Sequence, residues 1–137
     1  MRYVVLDTNI LLDIFVFNDE KALYLKKALF DKTTHFVASQ KTIEEFADVI
    51  SRPIFKLDEQ AQAAILAQWQ SIAQQQDDSN LAAAPWKCQD PDDQIFLDLA
   101  YHLRPAVLIS KDNAVLQIAC RAASEDILIT SNYNVLG

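Results

Sequence analysis

Glycine occurs once among the 137 residues, at Gly137. That scarcity removes every phosphate-cradling loop that needs glycine for close backbone approach, nucleotide P-loops and dinucleotide fingerprints included. Histidine occurs twice, at His35 and His102. Neither stands in HExxH or Cys/His spacing, so a histidine-rich zinc site cannot be assembled, and each reads as a surface or capping side chain. No GxSxG elbow or catalytic-cysteine signature is present, which leaves nucleophilic triads without support. The two cysteines, Cys88 and Cys120, with no export-like N-terminus, favour a reduced cytoplasmic setting in which both are buried packing residues. Apolar runs such as residues 10–17 are interrupted by Asp13 and fall far short of the roughly 20 residues that span a bilayer.

What the chain has in quantity is acid. Nineteen Asp and Glu face twelve Lys and Arg, for a net charge of -7. Such an excess ordinarily serves solubility and discourages nucleic-acid binding, unless particular acids gather at one place and hold cations. With 51% hydrophobic residues the chain can bury a core without staples, and a single domain over residues 1–137 is expected.

Residues 2–6, RYVVL, are apolar without alternation, as in a parallel strand covered on both faces. Short helices are expected over residues 9–17 and 19–30, and a second strand over residues 35–39. Ser39 is a good N-cap for a helix with Ile43, Phe46, Ala47 and Ile50 on one stripe. A longer helix is expected over residues 59–76. Residues 77–92 form a connection, after which Asp90 and Pro91 open a helix that faces inward with Phe96, Leu99, Ala100 and Leu103. Strands over residues 106–110 and 127–130 bracket a helix over residues 113–123. The alternation predicts an α/β fold with a parallel sheet and helices on both faces.

In such sheets the ligand crevice lies beyond the C-terminal strand ends. Asp7 ends the first strand there. An acid beside a buried apolar run is costly unless solvated or paired, which favours a functional role. Glu45 follows the second strand, yet it could equally complete a T-x-x-E capping box with Thr42, and helical periodicity does not separate it from Glu44. In DPDDQIF, Asp90, Asp92 and Asp93 are what an acidic first turn should contain, with Asp93 following the inward stripe and Asp92 its nearest competitor. Asp112 could be a simple N-cap. If the four converge, mutual repulsion raises their pKa values and disfavours the fold unless a hard divalent cation sits among them. Magnesium or manganese in an all-oxygen site supports phosphodiester hydrolysis.

The segments LDTNILL, SQKTIEEFADVISRPIF, CQDPDDQIFLDLA and VLISKDNAVL, taken in that order, resemble the PIN-domain ribonucleases, particularly the branch that supplies toxin components of prokaryotic toxin-antitoxin systems. The terminal ILITSNYNVLG is similar to that family's last strand and the residues after it, so the domain is expected to be complete. The resemblance implies a three-layer α/β/α domain with a central parallel sheet of four or five strands. It selects Asp7, Glu45, Asp93 and Asp112 as catalytic and metal-holding acids, choosing Glu45 over Glu44 and Asp93 over Asp92. Asn9 and Ser110 resemble supporting polar positions. The implied activity is RNA cleavage with Mg2+ or Mn2+: Asp7, Asp93 and Asp112 hold the metal, and Glu45 orients or deprotonates the attacking water. A homodimer and a cognate antitoxin are the implied partners, with no membrane involved.

Lys111 stands where the family commonly has glycine, and a second acid after Asp112 is lacking, which bears on the affinity of any second metal. Two rivals remain. An aspartyl-phosphate phosphatase would need DxDx[TV], and here Asn9 replaces the second acid. A PIN-like scaffold that binds RNA or protein without turnover would have no need of all four acids. Lys41, Arg52, Lys56, Lys87 and Lys111 are candidate phosphate contacts that read equally as solvated cations.

Overall fold

The computed structural model describes residues 2–31 and 34–136. Its centre is a five-stranded sheet, β1 Tyr3–Leu6, β2 His35–Ser39, β3 Gln74–Gln76, β4 Ala106–Ile109 and β5 Ile127–Thr130, in the order β3-β2-β1-β4-β5. All four pairings are parallel. β1 occupies the middle, so its unbroken apolar run is covered on both faces as a parallel sheet requires.

Among the described residues, seven α-helices surround the sheet: α1 Thr8–Phe15, α2 Leu23–Leu29, α3 Gln40–Ile50, α4 Glu59–Ile72, α5 Gln94–His102, α6 Asn113–Leu116 and α7 Ala119–Ala123. Alternate strand residues divide the core in two. Val4, Leu6, Phe36, Ala38, Val107 and Ile109 pack with Ile10, Ile14, Leu25, Phe46 and Trp69 from α1–α4. Val5, Val37, Leu108, Ile127 and Ile129 pack with Phe96, Leu99, Val115 and Ala122 from α5–α7. This period-two division is what a strand imposes, and it produces the three-layer α/β/α arrangement expected from the sequence.

Three local expectations need correction. The helix expected to reach Gln76 ends at Ile72, and Gln74–Gln76 instead forms the edge strand β3 beside Val37–Ser39. The helix expected over 113–123 is broken into α6 and α7 around Gln117 and Ile118. Cys88 is buried as expected, but Cys120 is exposed; both are free thiols. His102 does act as a cap, accepting from the Ala82 N–H through Nδ1 at 3.1 Å.

A chain short of glycine must make its left-handed turns with other residues. Asn18, Lys56 and Asp126 adopt positive φ, at 47°, 55° and 61°. Asn and Asp tolerate this region because their short side chains bond locally, while Lys56 terminates the turn Pro53–Phe55.

Candidate active site

The C-terminal ends of β1, β2 and β4 lie side by side, and the segments that leave them carry the acids. Asp7 follows β1 directly and is 3% exposed. It stands at the N-cap of α1 without making a side-chain cap; instead Oδ2 accepts the Ser110 hydroxyl at 2.6 Å. Ser110 is fully buried after β4 and its Oγ accepts the Asp112 N–H at 3.0 Å. One hydroxyl therefore couples the first acid to the backbone of the last. Burial pushes the Asp7 pKa up, Ser110 opposes the shift and the Asp112 charge adds to it.

Glu45 does not join a capping box with Thr42. That box is formed by Ser39 and Thr42, each accepting the other's backbone N–H, which leaves Glu45 available. Its Oε2 accepts the Thr8 hydroxyl at 2.5 Å, so α1 and α3 meet at this bond. Burial raises the Glu45 pKa, and the charges of Asp7, Asp92 and Asp90 push in the same direction. Glu44 is exposed and accepts from Gln40 Nε2 at 3.0 Å. The turn Pro91–Asp93 and the α3 surface border a cleft of about 520 Å3 that includes Glu45, Lys41 and Arg52.

Asp90 caps the turn Pro91–Asp93, accepting from the Asp92 N–H at 3.0 Å. The turn buries Asp93 and leaves Asp92 exposed. Asp112 caps α6 through the Ala114 N–H at 2.9 Å, so it serves as cap and as member of the acid group together. One carboxylate oxygen each from Asp90, Asp93 and Asp112 falls within 4.8 Å of the other two. Asp93 Oδ2 is buried and receives no hydrogen bond. The Asp93 and Asp112 carboxyls are close enough for each to shift the other's titration. Burial, then that contact, then the charges of Asp7, Asp112 and Asp90 push the Asp93 pKa up to about 8, whereas Asp112, the more exposed partner, is lowered.

The structure thus brings Asp93 and Asp112 to a common point and sets Asp7 and Glu45 within electrostatic reach of them. Sequence reasoning treated Asp90 only as a cap, and it supplies the third oxygen of the shared point. Its signal was the DPDD cluster itself, where a capping duty and a ligand position look the same.

Asp13 was missed altogether. It sits on α1, 4% exposed, and its Oδ2 accepts from Lys111 Nζ at 2.6 Å and from the Tyr133 hydroxyl. Lys111 is therefore no freely solvated cation: its charge is engaged by Asp13, away from the acid group. Asn9 Oδ1 receives the Lys111 N–H at 3.5 Å. α1, the β4–α6 loop and the segment after β5 are joined through this buried carboxylate.

A family model described as a PIN domain matches residues 3–114. The chain belongs to the PIN domain family. The match places it among nucleases, and the matched span contains Asp7, Glu45, Asp90, Asp93 and Asp112. The PIN domain fold is also seen in a solved structure described as VapBC2 from Rickettsia felis bound to a DNA fragment from their promoter. That likeness has a TM-score of 0.57 at 14% identity and covers 93% of this chain and 96% of that one. No curated protein matches this PIN domain chain.

PIN domain nucleases use divalent metals, and the donor set here fits one. The ligand atoms are carboxylate oxygens, the preference of Mg2+ and Mn2+. The buried Asp93 Oδ2 has no hydrogen-bond partner, and a cation could coordinate it instead.

Proposed function

We propose that this chain is a divalent-metal-dependent endoribonuclease and the toxin component of a prokaryotic toxin-antitoxin pair. The observation that carries the reading is the meeting of Asp90, Asp93 and Asp112 at one point beside Asp7 and Glu45, while the neighbouring Lys111 bonds to Asp13 and not to these acids. Such a group is strongly self-repelling at neutral pH, and a doubly charged cation relieves it.

Asp93 and Asp112 would hold Mg2+ or Mn2+, with Asp7 and Asp90 completing the oxygen set. When bound, the cation supplies Lewis acidity towards phosphate oxygens and lowers the pKa of water. Glu45 serves as the base. Its Oε2 is fixed by Thr8, its Oε1 receives no hydrogen bond among the described residues, and burial raises its pKa, which makes it a stronger proton acceptor than an ordinary carboxylate. Ser110 fixes the Asp7 carboxylate and, through the Asp112 N–H, the register of the β4–α6 loop.

A protein partner is supported by exposed apolar side chains on the α1–α4 side. Ile54 is 78% exposed, and Phe17, Leu23, Tyr24 and Phe30 are exposed too. A cognate antitoxin and a second copy of the chain are the partners proposed for that surface, at which burial of apolar area would drive association. No helix among the described residues is long and apolar enough to cross a membrane.

The test is cleavage of single-stranded RNA by the chain and by Asp7→Asn, with and without Mn2+. Metal-dependent cleavage that Asp7→Asn loses supports the reading. Equal cleavage by both proteins assigns the activity elsewhere, and no cleavage of any RNA returns the chain to a binding scaffold.

A further inference from the structure

β4 and β5 pair in register from Ala106↔Ile127 to Ile109↔Thr130, so the segments leaving their C-terminal ends are neighbours. A cavity of about 540 Å3 opens there, lined by Lys21, Lys111, Leu116, Ser131, Asn132 and Asn134 together with Tyr133. Its volume is within the range of small-ligand pockets. Lys111 stands between Ser110, which holds Asp7, and Asp112. The cavity therefore begins one residue from the candidate active site, on the side of β4 away from Glu45.

The lining chemistry is unlike that of the rest of this acidic chain. The Lys111 ammonium gives one N–H to Asp13 at 2.6 Å, but its side chain is 45% exposed and an ammonium has three donors. Lys21 is exposed, and its ammonium has no partner among the described residues; only its backbone N–H is engaged, by Asp19 at 3.0 Å. The turn after β5 is self-supporting. Asn132 N–H donates to Thr130 Oγ1 at 3.0 Å, and Asn132 Oδ1 accepts from the Asn134 N–H at 3.0 Å. That leaves the Asn132 amide NH2 and the whole Asn134 amide without partners among the described residues. Tyr133 is anchored by Asp13 below the turn.

Two ammonium groups, the Asn132 NH2, the Asn134 amide and an apolar side chain, Leu116, are groups of the kinds that recognise a nucleotide. Cations take the phosphate, amide donors and acceptors read a base edge, and apolar surface meets the base face. We propose that this cavity binds the nucleotide next to the scissile phosphate of a single-stranded RNA, with the phosphate on Lys21 and Lys111 and the base edge on Asn132 and Asn134. The inference rests on the ribonuclease reading above and adds to it a substrate subsite.

The experiment uses the full chain carrying Asp93→Asn to block turnover, and fluorescein-labelled single-stranded RNA decamers of differing sequence, with anisotropy followed over a KCl series. In that background Lys21→Gln is expected to weaken all decamers by roughly threefold to tenfold at low salt and to reduce the log K against log salt slope by about 0.7. Lys27→Gln removes the same charge from the exposed end of α2, outside the cavity, and is expected to leave the slope unchanged. Asn134→Ala is expected to flatten the difference between decamers while the slope stays the same. Equal effects of Lys21→Gln and Lys27→Gln, or no effect of either, overturn the assignment. If RNA is bound and the parent chain cleaves it while Lys21→Gln and Asn134→Ala bind as the background does, the subsite falls and the ribonuclease reading stands. A parent chain that neither binds nor cleaves RNA overturns both. Displacement of the RNA by an acidic peptide with Lys21→Gln changing only the peptide's affinity assigns the cavity to a protein partner instead.

Discussion

Ser110 donates its hydroxyl hydrogen to Asp7 Oδ2 at 2.6 Å across 103 residues of chain. The same Oγ accepts the Asp112 N–H. Removing it in Ser110→Ala takes the hydroxyl donor from the buried Asp7 carboxylate and leaves the Asp112 N–H without its side-chain acceptor. The expected result is a stability loss of about 1–3 kcal/mol by urea titration, and a drop in Mn2+ affinity or turnover of about 10–100-fold. An unchanged Mn2+ isotherm would separate Ser110 from the site.

Asp93→Asn should act in opposite directions on fold and function. It removes the cost of protonating a buried carboxyl on folding, so the metal-free chain should melt a few degrees higher at neutral pH, equivalent to about 1 kcal/mol for a domain of this size. The rise in melting temperature that Mn2+ gives the parent chain should disappear, and RNA cleavage should fall by about 100-fold or more. Scanning fluorimetry with and without Mn2+ reads the first two effects.

The pH dependence follows from the sign of the shifts. The Asp93 pKa is raised from 3.8 to about 8, so the folded chain binds a proton there that the unfolded chain has released. That contribution is fully present below the ordinary carboxylate value and is lost as pH rises through about 8. Asp7 and Glu45 are raised and act in the same sense; Asp112 is lowered and opposes them. The metal-free chain should therefore lose stability between about pH 4 and about pH 8, and Mn2+ should restore more of it at the alkaline end, with protons released on binding. A melting temperature that climbs over this interval without metal would contradict the arrangement.

Lys111→Met should reveal what the Asp13 contact does. Asp13 is almost fully buried, and the substitution leaves Tyr133 as its remaining donor. Because Lys111 is itself partly solvated, the expected loss is about 1–2 kcal/mol, less than for a wholly buried pair. Lys111→Arg should recover most of it. Equal melting temperatures for Lys111→Met and the parent would mean that the pair is stabilised by nothing beyond solvent.

How far the sequence could be read depends on whether the deciding contact is local. β1 was legible because a central parallel strand carries apolar side chains on both faces, and α3 because Ser39 and the Ile43–Phe46–Ile50 stripe mark its start and its buried side. β3 was not: Gln74, Gln75 and Gln76 are good helix formers, and only the exposed edge of β2 makes them a strand. Among the acids, position in the fold singled out Asp7, whereas the preferences for Glu45 and Asp93 needed the family resemblance, since caps and ligands use the same residue types at the same helix starts. Asp13, Lys111 and Tyr133 are separated by 98 and 120 residues. Nothing local in any of the three announces the others.

β4 inserts beside β1 only after most of the chain has been made, and it brings Ser110 and Asp112 with it. During synthesis on a ribosome, the N-terminal hundred residues would carry Asp7 and Glu45 in a half-built sheet whose fifth and fourth strands have yet to arrive. The acid group is therefore complete only once β4 has docked, so an ion held there would also latch the segment after β4 to the turn before α5.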